Sequence, residues 1–195
     1  MNGAKPSEKT NFYLQFQTLL NQPELFTTIQ SMDANQWIAH LQLQPHPEGG
    51  FYKETYRAEG FMQVGTEAVA IRNYSTAIYF LLQDDNFSAF HRIASDEVWH
   101  YYGGGILELF EVDGYGILRR TLIGNQINEG AVPQHVVPAG HWFASRVLGA
   151  QGYVLTGCTV SPGFDFQDFE MAGRQALTLQ FPQHKEIITA LTRIG

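Results

Sequence analysis

Between Phe87 and Phe110 the chain reads FSAFHRIASDEVWHYYGGGILELF, and two of its residues, His91 and Glu97, have the types and spacing for acid–base chemistry. Alternate residues of a strand share a face. Phe87, Ala89, His91 and Ile93 therefore look one way. Glu97, Trp99 and Tyr101 share a face on the next strand, with His100 and Tyr102 on the other. Polar groups set among apolar strand residues are costly unless something satisfies them, so the stretch reads as the wall of a pocket. A histidine buried beside a carboxylate can hold a near-neutral pKa and abstract a proton next to a carbonyl. His91 and Glu97 are accordingly the expected catalytic pair. The plainer reading is a core pair in which the two side chains bond each other.

Substrate contacts are expected from Arg72, Trp142, Trp99, Tyr101 and His100. Arg72 opens the strand RNYSTAIYFLL, where a guanidinium could hold a phosphate, a carboxylate or a developing enolate. The three aromatic residues suit either a stacking surface or the barrel core. His100 reaches the pocket only if the Gly103-Gly104-Gly105 run bulges its strand. Elsewhere the structural reading prevails. Glu108 alternates outward toward solvent, and Asp165 and Asp168 in SPGFDFQDFE cap turns. His46 and Glu48 in HPEGG precede the first strand, with the paired glycines serving backbone geometry. Cys158 is a buried thiol. The chain has no Gly-x-Gly-x-x-Gly, P-loop, CxxC or Gly-x-Ser-x-Gly motif, which argues against the common nucleotide-dependent, redox and serine-hydrolase classes.

The elements that must position these residues are mostly strands. Phe51 to Arg57 alternates, Ala68 to Leu82 is rich in β-formers, and Phe87 to Ile93 alternates again after an Asp84-Asp85-Asn86 turn. Leu107 to Val112 and Tyr115 to Ile123 flank Asp113-Gly114, a two-residue hairpin signal. Tyr153 to Val160 forms another strand, ended by Ser161-Pro162-Gly163. Helix spacing occurs in two short N-terminal segments, over Phe12 to Ile29 and after a cap at Asp33, and again from His184 to Ile194. Many short strands between regular turns suggest a closed barrel or jelly roll. The expected division is a helical extension over 1–45, a barrel over 46–183 and a C-terminal helix over 184–195, in one domain.

Composition bounds the partners. The 195 residues are 44% hydrophobic and 16% charged, with a formal net charge of −7, which argues against nucleic acid and anionic membranes. The longest apolar run, Ala77 to Leu82, is too short for a bilayer, and the N-terminus lacks a hydrophobic signal core. The lone Cys158 fits a reducing compartment, so a cytoplasmic protein is expected.

His91, Glu97 and Gly104 fall at the spacing of the first motif of the cupin superfamily, which this stretch resembles. Ile93 stands at the second histidine position of that motif and Asp85 at its leading glycine. Pro138-Ala139-Gly140 resembles the second motif, with Phe143 at its histidine position and His141 and Trp142 beside it, out of step. Across residues 46–170, HPEGG, RNYSTAIYFLL, SDEVWHYYGG, VVPAGHWFASR and SPGFDFQDFEMA look like one cupin-like subfamily. It is a domain of unknown function related to the dTDP-sugar epimerases. The resemblance implies an all-β double-stranded β-helix with short helices at both ends, a pocket inside the barrel and a homodimer. A shared face would come from Phe51, Tyr52 and Tyr56. It also implies a histidine base at a strand position comparable to His91. Metal-dependent cupins use three histidines and a glutamate, so no cofactor is expected here. His91, Glu97 and His100 would be the ligands if a metal did bind. Three functions stay open: metal-independent proton transfer on a carbohydrate-like metabolite, ligand binding without turnover, and metal-dependent oxygenase or isomerase chemistry with displaced ligands.

Overall fold

A computed structural model describes residues 32–65 and 69–194. The chain divides into two compact units, Met1–Met32 and Asp33–Gly195. The helix spacing over Phe12 to Ile29 lies outside the described residues. The second expected helix is α1, Ala34–Leu41, held at its start by a reciprocal box: Asp33 accepts from the Gln36 amide while the Gln36 side chain accepts from the Asp33 amide.

Thirteen strands follow among the described residues. They are β1 Gln44–Pro45, β2 Phe51–Arg57, β3 Phe61–Val64, β4 Ala70–Asn73, β5 Thr76–Gln83, β6 Phe87–Arg92 and β7 Asp96–Gly104. Then come β8 Leu107–Val112, β9 Leu118–Ile123, β10 Gln134–Val137, β11 Trp142–Val147, β12 Tyr153–Ser161 and β13 Glu170–Met171. Six form one sheet, in the order β1-β2-β5-β12-β7-β10. Five form a second, β13-β6-β11-β8-β9, and β3 pairs with β4 in a separate hairpin. The two large sheets face each other as a jelly-roll barrel. Phe80, Leu82, Trp99, Leu109, Phe143 and Val154 fill the space between them.

The outer faces are covered as well. Two short helices, α2 Arg174–Gln180 and α3 Lys185–Ala190, follow the barrel. Their Leu177 and Ile188, together with Phe181 and Leu191, lie against Phe90, Phe110 and Trp142 of the second sheet. Trp37, Ile38 and Leu41 of α1 lie against Leu81 and Leu155 of the first. This cover buries Phe110 and Val112 on the outer face of β8, a strand buried at every position.

Several details depart from the sequence reading. The β-rich run from Ala68 is cut at Tyr74-Ser75 into β4 and β5. The Asp113-Gly114 hairpin is wider than two residues, because Asp113 Oδ1 accepts from the amides of both Tyr115 and Ile117, each at 2.9 Å. The helix α2 was not expected, since seven residues are too few to establish a period. Glu108 does point outward, but Arg120 and Arg146 clamp its two oxygens at 2.7 Å each and leave it buried rather than solvated.

Candidate active site

The HPEGG segment forms a tight loop in which His46 N donates to Gly50 O and Gly49 N donates to His46 O, both at 3.0 Å. Gly49 and Gly50 have φ values of +115° and +72°. A Cβ on Gly49 would lie 2.1 Å from the Phe87 carbonyl oxygen, so the loop presses directly on β6 in a way no larger residue permits. Ala89 N seals the contact by donating to Glu48 O at 2.9 Å. The Glu48 side chain is thereby sent between the sheets.

There it meets a bulged strand. Phe143 faces His91 and Ser145 faces Ser88 across β11 and β6, with a register shift between them, so β6 carries one residue more than its partner over this span. The bulge brings both Ser88 and His91 to Glu48. Glu48 Oε1 accepts from Ser88 Oγ at 3.0 Å. Its Oε2 lies 3.2 Å from His91 Nε2 and 3.3 Å from His46 Nδ1.

Protons in this cluster are constrained by its bonds. His91 Nδ1 is 2.8 Å from Ala89 O, which can only accept, so Nδ1 carries hydrogen and Nε2 of the neutral ring is an acceptor. His46 Nδ1 accepts from Glu48 N at 3.3 Å, which puts the proton of that ring on Nε2. Glu48 Oε2 therefore faces two acceptor nitrogens and must supply the hydrogen between them. The electrostatics agree. Burial first, then the neighbouring Glu97 charge, pushes Glu48 well above the usual carboxylate range. Burial lowers His91 to about 3 and His46 to about 4. A neutral Glu48 donating to a neutral His91 is the arrangement all these bonds satisfy.

Glu97 stands apart from that pair. It points inward from β7 and is raised to about 7 by burial, a shift that its bond with Cys158 opposes. The Cys158 thiol is pushed up by burial and then by the Glu97 charge. Both line a pocket of about 310 Å³, together with His46, Tyr52, Phe166 and Arg57. Phe166 stacks on His46, with ring centroids 5.9 Å apart and an interplanar angle of 22°. Phe169 meets the same ring edge-on at 5.9 Å.

The expected site residues are only partly brought together. His91 and Glu97 both face the interior, but neither is the other's partner, since Glu48 occupies the place expected for Glu97 beside His91. Nor does His91 line the pocket, whereas His46 does. Arg72 is not a pocket residue either. Its Nε and Nη2 grip Asp168 Oδ2 and Oδ1 at 2.6 and 2.7 Å, fastening to β4 the loop that carries Phe164, Phe166 and Phe169.

Trp142 faces the helices rather than the interior, one position out of step with Phe143, and Arg92 covers its ring at 4.6 Å. Trp99 is core, and Tyr101 packs against that core with its hydroxyl on Gly104 O. His100 faces outward, bonded to Thr159 and Gln134. A bulge does occur in β7, but at Tyr102, beyond His100, which it therefore leaves outward. Asp165 caps the turn before Gln167 and also lines the pocket. The residues that sequence reasoning passed over are His46 and Glu48. Their signal was an acid followed by two glycines, a backbone that turns where no side chain fits.

The cupin metal site does not fit these residues. Ile93 and Phe143 offer no donor, and the Phe143 ring lies against His91 with centroids 4.1 Å apart. Among the described residues no group of three or more His, Cys, Asp or Glu is arranged to hold a metal ion. His100, on the opposite face of the sheet, cannot complete a set with His91 and Glu97.

Residues 35–172 match the family model described as Cupin superfamily (DUF985). An uncharacterised Saccharomyces cerevisiae protein, YML079W, is 33% identical over 159 residues, covering 75% of this chain and 76% of that protein. A hypothetical protein from Leishmania major is 37% identical with a TM-score of 0.77, covering 84% of this chain and 100% of the other. Protein SO0799 from Shewanella oneidensis is 36% identical with a TM-score of 0.76, covering 85% and 100%. Strand order, barrel interior and sequence match agree, and the chain belongs to the cupin superfamily, in the DUF985 family.

Proposed function

We propose that the barrel pocket binds a small oxygenated metabolite and that Glu97 exchanges a proton with it, without a metal, in an isomerase- or epimerase-like step. The observation that carries this reading is a buried carboxyl that lines the pocket, and burial raises it to about 7, the range in which an acid–base group works best. Ionised Glu97 takes the proton from a carbon next to the ligand's carbonyl, the electron pair passing to the carbonyl oxygen as an enolate. The protonated carboxyl then returns the proton to that carbon. His91 acts behind it: hydrogen-bonded to Glu48, it keeps that acid neutral, so that Glu97 has no second buried anion beside it. His91 is thus a positioning residue in this account, and Glu97 the catalytic one. Arg72 acts through Asp168 by holding Phe166 over His46.

The test is a ligand screen by thermal shift over small sugars, hydroxy ketones and amino sugars, followed by proton NMR of each bound compound in heavy water. Wild-type protein is expected to wash deuterium into one carbon position, and Glu97→Gln to slow this by about a hundredfold or more while still binding. A compound that binds and never exchanges would make the protein a binding protein instead.

The same reading includes a homodimer. Tyr56, Phe61, Ile71 and Tyr74, on β2, the β3–β4 hairpin and its border, are each more than half exposed, an apolar group that supports a shared face. Of the residues first expected there, Phe51 packs under α1 on the outer face of the first sheet and Tyr52 packs against the barrel core. Sedimentation at micromolar concentration tests this, and a monomer refutes it. Among the described residues no helix is long and apolar enough to cross a membrane. A cytoplasmic location is supported by the lone buried thiol, and cell fractionation checks it.

A further inference from the structure

The charges around the pocket point to a narrower ligand class than its shape does. Three carboxyl groups line it, those of Glu54, Glu97 and Asp165, against one cation, Arg57. That cation is committed. Arg57 Nε and Nη2 bond the two oxygens of Glu54 at 3.0 and 2.7 Å, and Nη1 donates to Asn73 Oδ1 at 2.9 Å and Phe164 O at 3.2 Å. Four of the five N–H groups of a guanidinium are then used. Once Glu54 and Arg57 have cancelled, and Arg72 and Asp168 with them, the charges left on the lining are Asp165, which both arginines attract, and Glu97.

These two differ in place. Asp165 spends Oδ1 on the amide of Gln167 at 2.9 Å, and its side chain borders the pocket beside Phe166. Glu97 is 7% exposed, and the one group bonded to its carboxyl is the weak thiol donor of Cys158. Among the described residues it has no nitrogen donor and no counter-charge. A buried carboxyl left in this state is an unsatisfied acceptor that a ligand can complete. An anionic ligand would meet Asp165 and Glu97 with no available cation, and a neutral one would leave the ionised form of Glu97 uncompensated. A cationic nitrogen answers both groups, and the Phe166 and Tyr52 rings beside them suit a cation as well.

We infer that the pocket selects a small oxygenated molecule bearing a protonated amine, which Glu97 and Asp165 receive as a pair of carboxylates. This rests on the reading of Glu97 as the proton-exchanging group and deepens it. An ammonium beside Glu97 holds it ionised, and an ionised Glu97 is the base that the exchange step needs.

The test uses three two-carbon probes of like size: ethanolamine, ethylene glycol and glycolate. Their dissociation constants would be read from amide chemical shifts of the barrel in the full-length protein at pH 6 and pH 8. Ethanolamine is expected to bind at least tenfold tighter than ethylene glycol at pH 8, with glycolate weakest. Its affinity should rise about tenfold from pH 6 to pH 8, as a carboxyl poised near pH 7 goes from mostly protonated to mostly ionised. Glu97→Gln should remove that pH dependence, and Asp165→Asn should weaken ethanolamine alone. Glycolate binding as tightly as ethanolamine, or no ethanolamine binding at all, would overturn the amine class. The proton-exchange reading fails separately, if a bound amino sugar or amino ketone shows no exchange of the hydrogens on the carbon next to its carbonyl.

Discussion

Replacing Glu48 by Gln and by Ala separates two protonation states that the geometry distinguishes sharply. If Glu48 is neutral and donates to His91, glutamine reproduces every bond. Its amide oxygen can accept from Ser88, and its NH2 has one hydrogen for His91 Nε2 and another for His46 Nδ1, the three partners that Glu48 meets at 3.0, 3.2 and 3.3 Å. Glu48→Gln should then cost less than about 1 kcal/mol. Alanine leaves Ser88 and His91 buried without a partner, at about 1–3 kcal/mol each, so Glu48→Ala should cost roughly 2–6 kcal/mol. Urea unfolding of the three proteins at pH 6 gives both differences from the midpoints. The alternative is a buried ion pair of carboxylate and imidazolium. There, glutamine would strand the charge of His91 and cost about 3–5 kcal/mol, close to alanine. Equal losses for the two variants would refute the neutral pair and the tautomers derived for His91 and His46.

Stability should also report on pH. The pKa of Glu97 is raised on folding from its ordinary 4.5 to about 7, so its contribution is complete below pH 4.5 and is lost as pH rises through 7, a fall of about 3 kcal/mol that Glu97→Gln should flatten. Glu48, also raised, acts in the same direction. His46 and His91, lowered on folding, contribute stability that is complete above pH 6.5 and lost as pH falls toward 4 and 3. The opposed slopes predict a broad maximum between about pH 4.5 and 6.5, and urea midpoints across pH 4 to 9 would reveal it. Arg72→Ala strands Asp168 and should cost about 3 kcal/mol while exposing the 161–170 loop to protease, measured by urea unfolding and limited proteolysis. Gly49→Ala should be far worse than Gly130→Ala. Both have positive φ, but a Cβ at Gly130 meets nothing within 4 Å, so that variant should cost only about 1–2 kcal/mol, and calorimetry gives the comparison.

Much of the barrel was legible because its strands alternate in sequence. The alternation of Glu97, Trp99 and Tyr101 against His100 and Tyr102 appears in the fold as read. So does the displacement of Trp142 from the interior position held by Phe143, and by that logic Trp142 did not belong among the pocket residues. Pairing across the barrel was not legible. Glu48 reaches His91 because a loop some forty residues upstream folds over β6 and because β6 is bulged, and neither fact leaves a mark on local periodicity. Arg72 misled for a different reason: a guanidinium at the head of a strand suits an anionic ligand and an internal aspartate equally, and Asp168 lies almost a hundred residues downstream.

The central claim is that Glu97 is an acid–base group poised near neutrality beside the pocket. Labelling glutamate side chains with carbon-13, assigning Glu97 by comparison with Glu97→Gln, and following its carboxyl resonance from pH 4 to pH 9 tests this directly. The account predicts a midpoint near 7. A midpoint at or below the ordinary 4.5 would contradict it, and Glu97 would then be a permanently ionised wall residue with no proton to exchange.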